Sequence, residues 1–263
     1  MKTLILLLAT VSCTSAIAQN FEGTMKWSMK TEIKDPAIKA QMEKANGPAS
    51  QAQLKQFQEQ MKDPEMKKMM ESNPEMKAQM ERLMKMAGDP ESMMPRGFTI
   101  KFKNMNTLTK IEGGMIEGEI LYLHEGNKRY QIDREHKTYR LMPQDQAVSD
   151  EKPKYKITPT SETAKILGYT CKKYLVEEED YGKKVKSSVW VTNEIKGLSA
   201  KNFDQGMESG GKLYYKEIDG VPLRIEMTSD DADMVMEVVE LKKESLKDSE
   251  FALPVDFGEL QGN

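Results

Sequence analysis

The sequence predicts an α+β fold in which an antiparallel sheet carries a methionine-rich helical insertion between its first two strands. Three observations lead there. Residues 162–192, ETAKILGYTCKKYLVEEEDYGKKVKSSVWVT, hold runs rich in β-branched and aromatic residues, separated by Gly168 and by a charged tip at 178–182, the pattern of a β-meander. Phe21, Met25, Trp27, Met29 and Ile33 share one parity, and Glu22, Thr24, Lys26, Ser28, Lys30 and Glu32 take the other, so a first strand buries one face and wets the other. Phe98, Ile100 and Phe102 repeat that alternation. The 60 residues between, 36–95, hold 11 of the 21 methionines, no tyrosine or tryptophan and almost no β-branched residue, which is the composition of helices.

The chain opens with Met1-Lys2, an apolar run from Leu4 to Val11 and the small-residue site Ala16-Ile17-Ala18, the three parts of a secretory signal peptide over residues 1–18. Cleavage after Ala18 leaves one exported β-rich domain, 19–263, interrupted by 36–95. The alternative is a membrane-anchored lipoprotein lipidated at Cys13, although Thr10 and Val11 fit a lipobox poorly. No other apolar run approaches the ~20 residues that cross a bilayer, so a transmembrane protein is not expected. The net charge of −3 argues against a basic nucleic-acid surface. After cleavage Cys171 is the remaining cysteine, so no disulfide framework is expected and it reads as a buried small residue in a strand.

Within the insertion a unit recurs as Asp35-Pro36-Ala37-Ile38, Asp63-Pro64-Glu65-Met66, Asn73-Pro74-Glu75-Met76 and Asp89-Pro90-Glu91. Asp or Asn caps the orphan amides, Pro lacks the donor that would be wasted, and Glu suits the positive helix end, so each unit starts a helix. The pentapeptide KAQME occurs at 39–43 and 77–81, which suggests local duplication. Helix bodies carry Leu54, Phe57 and Met61, then Met66, Met69 and Met70, then Met76, Met80, Leu83 and Met84 at three- and four-residue spacings. Three readings of this stripe stand side by side: simple packing; an adaptable apolar groove or lid for a lipid tail or extended peptide; and Cu(I) held by thioethers of Met66, Met69 and Met70 or of Met76, Met80 and Met84. Neither histidine nor cysteine joins the stripe. Its 9 basic and 9 acidic residues do not describe a basic membrane-surface helix.

Further strands are expected at 119–125, 128–133 and 138–142, with apolar positions Leu121, Leu123, Tyr130, Ile132, Tyr139 and Leu141. His124 and His136 fall at strand ends among charges and read as solvated turn residues rather than a metal or acid–base site. The acidic run 177–180 reads as a soluble hairpin tip rather than a calcium site. A helical or irregular stretch at 195–211 precedes strands at 212–218 and 222–228, with a turn at Asp219-Gly220. Residues 234–242 read as the partner strand, though Met234, Val238 and Leu241 would also suit a helix, and Phe251 to Pro254 form a last apolar anchor.

Taken together, AQNFEGTMKWSM, SETAKILGYTCKKYLVEEE, SSVWVTNE, KEIDGVPLRIEMT and DSEFALPVDF resemble an exported bacterial family of unknown function similar to the outer-membrane lipoprotein carrier. The resemblance implies a strongly curved antiparallel sheet, a half-barrel, with helices over a concave apolar face that takes up acyl chains. Two departures stand out: the first strand begins almost at the mature N-terminus where carriers have a helix, and the methionine-rich insertion has no counterpart there. The insertion would then be the lid. No ligand-contacting residue transfers from the family.

The expected function is a non-enzymatic periplasmic carrier of a hydrophobic ligand, a lipid or lipoprotein acyl chain. Its groove would be lined by Phe21, Met25, Trp27, Met29, Phe98, Ile100 and Phe102 and closed by the methionines. The rival is an interaction or structural module whose residues 36–95 grip a partner protein. No nucleophile with a base, ligand cluster or phosphate loop is legible, so no catalytic residue and no cofactor are expected.

Overall fold

The computed structural model describes residues 20–45, 47, 94–114, 118–143, 155–180, 183–199, 201–204, 215 and 217–260, and, within the helical stretch, 52, 55–56, 58–73, 76–77, 80 and 84. The leader, Cys13, the Asp89-Pro90-Glu91 unit, Leu54, Phe57 and Leu83 lie outside them. The described strands form one twelve-stranded open sheet in the order β12-β6-β5-β4-β3-β2-β1-β11-β10-β9-β8-β7. All neighbours pair antiparallel except the short β12 (Gly258–Glu259), which runs parallel to β6 (Thr138–Leu141). A sheet this wide curls, because the twist between adjacent strands accumulates.

Strand β1 (Gly23–Ile33) sits at the centre, between β2 (Pro95–Lys103) and β11 (Ala232–Lys243). The expected alternation is present: Met25 and Trp27 are fully buried, and Trp27 lies opposite Phe98, Met25 opposite Ile100. From there the face bearing Trp27 runs apolar through Val238 and Met236 of β11, Ile225 of β10 (Val221–Thr228), Val189 of β9 (Lys183–Thr192) and Val176 of β8 (Tyr169–Asp180). The outermost strand is β7 (Tyr155–Ile166), joined to β8 through Leu167 and Gly168, both at positive φ as a tight two-residue hairpin requires. The other face of this half is charged, with ion pairs such as Arg224–Glu237 and Lys26–Glu112.

The opposite half is built differently. A turn at Asn104-Met105, both at positive φ, joins β2 to β3 (Asn106–Gly113), followed by β4 (Gly118–Leu123), β5 (Lys128–Asp133) and β6. Strand β3 is absent from the sequence reading, because its turn carries no Asn-Gly or Asp-Gly signature. Its register places Leu108 opposite Lys101 and Leu121, on the face away from Trp27. Leu108, Leu121, Tyr130 and Ile132 therefore form a second core, covered by Leu246 and Phe251 of the C-terminal tail. A second apolar face thus begins at β3 on the side away from Trp27, while Ile120 and Tyr122 of β4 stay buried on the Trp27 side.

The tail is held by charge. Lys101 pairs with Glu250; Lys103 lies 3.3 Å from Glu22 and 2.8 Å from Asp248, and it also donates to the carbonyl of Leu246. The Leu246 amide donates to Glu22 Oε1 at 2.6 Å, which, with Lys103, holds the Glu22 carboxyl below its ordinary range. Lys101 and the Lys247 amide do the same for Glu250.

Helices α1 (Pro36–Ala45) and α2 (Pro64–Ser72) lie between β1 and β2 in sequence. Their caps follow the repeated unit: Asp35 Oδ1 accepts from the Ala37 amide at 2.6 Å, Asp63 Oδ1 from Glu65 at 2.8 Å, and Asn73 Oδ1 from Met76 at 3.0 Å. Two expectations are corrected. Tyr215, Glu217 and Ile218 of the predicted strand 212–218 are not in a strand, and Tyr215 and Ile218 instead pack into the core; residues 212–214 and 216 fall outside the described set. His136 is not a solvated turn residue: its side chain is nearly buried, its amide donates to Asp133 Oδ1 at 3.0 Å, and its Nδ1 lies 2.9 Å from Asp133 Oδ2. Residues 234–242 are strand, held between β1 and β10, with Val238 opposite Trp27 and Met236 opposite Ile225.

Trp27→Ala is expected to cost about 3–5 kcal/mol in urea unfolding, the loss of a fully buried aromatic; a cost under about 1 kcal/mol would place Trp27 outside the core. A Cβ on Gly97 would stand 2.3 Å from the Trp27 carbonyl oxygen, so Gly97→Ala forces the backbones of β1 and β2 apart and is expected to cost about 1–3 kcal/mol. The depressed carboxyls of Glu22 and Glu250 contribute stability that is present above the ordinary glutamate range and lost as pH falls through their lowered values. The thermal midpoint is therefore expected to fall on acidification below about pH 5, less steeply in Glu22→Gln/Glu250→Gln. Equal slopes would refute the tail clamp.

Candidate functional site

The broad apolar face around Trp27 is the feature on which a site can be built. Six of the seven residues expected to line a groove are brought together there: Phe21, Met25, Trp27, Phe98, Ile100 and Phe102 belong to one buried cluster, and Met29 packs at its margin, half-buried. Trp27 stacks on Phe98 with ring centroids 5.5 Å apart, and Phe21 meets Phe102 edge-on at 5.9 Å.

Over these rings lie residues 193–199, 201–204, 215 and 217–220, the described part of the segment between β9 and β10, here called the strap. Its single described helix is α3 (Lys201–Asp204), four residues long, and it delivers Phe203. That ring is fully buried, 6.2 Å from Trp27 and 5.4 Å from Phe102, edge-on to both. Ile195, Leu198, Tyr215 and Ile218 add to the same cluster. The strap is fastened at its margins. The Phe21 amide donates to the Gly197 carbonyl at 2.8 Å, and the Tyr155 hydroxyl donates to Glu217 at 2.7 Å while its ring meets Tyr215 at 5.4 Å. Burial pushes the Tyr215 phenol up to about 12, so it is a neutral packing group at any physiological pH. The sequence predicts a helical or irregular stretch at 195–211 and a strand at 212–218 here. A lone Phe203 among polar residues was the available signal, but no periodicity marks a residue that reaches the core from a one-turn helix.

The methionines of the helical stretch occupy a different environment. No described residue of 36–84 belongs to either core of the sheet. Helix α2 buries none of its side chains, Met69 is 43% exposed, and Met66, Met70, Met76, Met80 and Met84 are half-buried. A surface groove of about 760 Å³ runs beside Met66 and Met69, shared with Glu59, Asp63 and Glu65. The structure thus separates the thirteen predicted site residues into two sets, seven on the sheet, with Met29 at the margin of its core, and six on the helical stretch.

Cys171 is fully buried on β8, and burial, with the charge of Glu194 nearby, pushes its thiol up to about 11, away from nucleophilic reactivity. Among the described residues, no group of three or more His, Cys, Asp and Glu is placed to hold a metal ion, and no helix is long and apolar enough to cross a membrane.

A protein-family profile described as a domain of unknown function (DUF4412) matches residues 65–257. No curated protein matches the chain. Among solved structures, PNGF-II in a C2 space group is similar over 91% of this chain at 14% identity and a TM-score of 0.41, and this chain spans only 31% of that one. An uncharacterized conserved protein from Thermus thermophilus is similar over 63% of this chain and 82% of its own, at 9% identity and a TM-score of 0.38. LprF from Mycobacterium bovis is similar over 64% of this chain and 84% of its own, at 9% identity and a TM-score of 0.32. The profile takes in every strand but β1 and β12, together with the strap and the clamped tail, and the chain belongs to the DUF4412 family.

Proposed function

We propose that this protein is a non-enzymatic, exported carrier of a hydrophobic ligand, whose acyl chain lies against the Trp27 face beneath the strap. The observation that carries the reading is the way that face is closed. Domains ordinarily bury a sheet face against a second sheet or a layer of helices. Here a face many strands wide is covered, among the described residues, by an irregular segment with a single four-residue helix and one aromatic plug. Among the described residues one backbone hydrogen bond, from the Phe21 amide to Gly197, ties this cover to the chain beside β1, and lifting it would expose a contiguous apolar surface. Phe203 then occupies the place of the ligand and shields Trp27 and Phe102 from water when the carrier is empty. The resemblance of the five sequence stretches to an exported family that is similar to the outer-membrane lipoprotein carrier supports the same reading. So does the chemistry around the site: the Cys171 thiol is disabled by burial and His136 is tied to Asp133.

A second reading is favoured by one specific observation, the exposed Met69 beside the groove on α2. Adaptable thioethers on a helix suit a partner protein, and the helical stretch would then grip that partner while the sheet acts as a scaffold. A Cu(I) role for Met66, Met69 and Met70 is the weaker version of this idea, because thioethers alone would have to supply the ligands.

Full-length protein exported into a bacterial periplasm is expected to carry bound lipid in native mass spectrometry, removable by organic solvent. Phe203→Ala is expected to load lipid from vesicles several-fold faster at unchanged stoichiometry, because the plug no longer competes. Folded protein that stays empty after exposure to lipid, in both wild type and Phe203→Ala, would defeat the carrier reading and move attention to the helical stretch as bait for a partner.

A further inference from the structure

The two ends of the sheet are finished differently. At one end lie the Asn104-Met105 turn between β2 and β3, the 124–127 turn between β4 and β5, and the Leu167-Gly168 turn between β7 and β8. The strap leaves β9 at Thr192 and enters β10 at Val221 at this same end, where those two residues pair. Hydrogen bonds and an ion pair join these pieces into one rim. The Thr170 amide donates to Glu194 of the strap at 3.2 Å, the Phe21 amide to Gly197 at 2.8 Å, and the His124 amide to Asn106 Oδ1 at 2.9 Å, while Glu22 and Lys103 lie 3.3 Å apart.

Two residues on this rim are unsuited to the turns they occupy. Met105 has a φ of 67° and Leu167 one of 50°, the left-handed region that crowds a Cβ and that hairpin turns ordinarily fill with Gly or Asn. Among the described residues, the other non-glycine positions in that region are Asn104, Asn127 and Lys137, all polar. Packing does not account for the apolar pair: Met105 is 39% and Leu167 45% exposed, and neither belongs to a core of the sheet. Asparagine at either position would relax the backbone and remove apolar surface from water, so the fold itself has no use for them. At the other end the described turns are polar, with 134–137 joining β5 to β6 and 229–231 joining β10 to β11.

The spacing of the two tips selects what they meet. From the β2–β3 turn to the β7–β8 turn is six strand positions, about 29 Å along the sheet at about 4.8 Å each. A protein partner is held through a continuous apolar centre, which single side chains so far apart do not make. A bilayer takes up separate apolar tips one by one in its headgroup layer, with lysines beside them reaching the lipid phosphates. Lys165, two residues before Leu167, and Lys128, the first residue of β5, are exposed and have no ion pair among the described residues. Glu125 shares the turn next to Lys128, so the electrostatic attraction is modest and the apolar tips lead.

We propose that this rim docks on a lipid bilayer, with Leu167 and Met105 inserted among the headgroups and Lys165 and Lys128 against lipid phosphates. The docking stands on the rim's own residues and rests on the carrier reading only for what passes there. Because the strap joins the sheet at this rim, docking sets the margin of the Trp27 face against a source of lipid.

The test is flotation of the full exported chain with vesicles of phosphatidylethanolamine and phosphatidylglycerol. Wild type is expected to float, and Leu167→Asn/Met105→Asn to float about tenfold less while its thermal midpoint holds or rises. Val255→Asn, at an exposed valine of the tail whose neighbour Asp256 pairs with Lys137 near the opposite end, is expected to float as wild type. A fluorophore on Leu167→Cys, with the buried Cys171 left unlabelled, is expected to shift to the blue on vesicles and reads the docking even if the double variant does not fold. Equal flotation of the double variant, an equal loss in Val255→Asn, or wild type that self-associates through these tips without floating overturns the proposal. Lipid retained after re-isolation separates it from the carrier reading: flotation without retained lipid supports the rim and defeats the carrier, and retained lipid without flotation does the reverse.

Discussion

The ladder that β1 makes on both its edges is the constraint on which everything else depends. Its residues 23–33 pair with 232–243 on one side and, at 23–28, with 97–102 on the other, so the central strand joins the two halves of the sheet across almost the whole length of the chain. That closure brings Met25 and Trp27 between Ile100 and Phe98 on one side and Leu241 and Val238 on the other, making one apolar surface from two separate segments. It also places the groups that hold the two coverings: Glu22, just before the strand, receives the Leu246 amide of the tail, and the Phe21 amide reaches the strap at Gly197. Contacts of such sequence separation are slow to form and reward the chain only once several are made together.

The second governing feature is the second apolar face that begins at β3. Alternation in a strand fixes which residues share a side, but which side meets the core is decided by the register of the turn, and a shift of one residue exchanges the two sets. The Asn104-Met105 turn pairs Phe102 with Thr107, which sends Leu108 and Leu121 to the face opposite Trp27. Each half of the sheet then needs its own cover. The tail serves one with Leu246 and Phe251, and the strap serves the other with Phe203.

These two covers differ in a way that bears on function. The tail is clamped by Lys101, Lys103, Glu22 and Glu250, so its position resists local opening at neutral pH. Among the described residues, the strap is held chiefly by apolar contacts of Phe203, Tyr215 and their neighbours. One side of the sheet is closed by a charge-clamped tail, and the other, among the described residues, by apolar packing.

The sequence by itself determined the local grammar. The parity of Met25, Trp27, Phe98, Ile100 and Phe102 marked them as one buried face, the Asp-Pro and Asn-Pro units marked helix starts, and the 162–192 stretch marked a meander, because each of these signals is read from neighbours a few residues apart. It missed β3, misread His136 as solvated, took Tyr215 and Ile218 for strand and gave Phe203 no role. Those outcomes turn on partners far away: the register at Asn104-Met105, the carboxylate of Asp133 in a folded turn, and the rings of Trp27 and Phe102 under a one-turn helix. Only the tertiary structure decided that Thr107, Thr109, Arg129 and Arg140 share the face of Trp27, since that follows from five successive strand pairings and from no pattern along the chain.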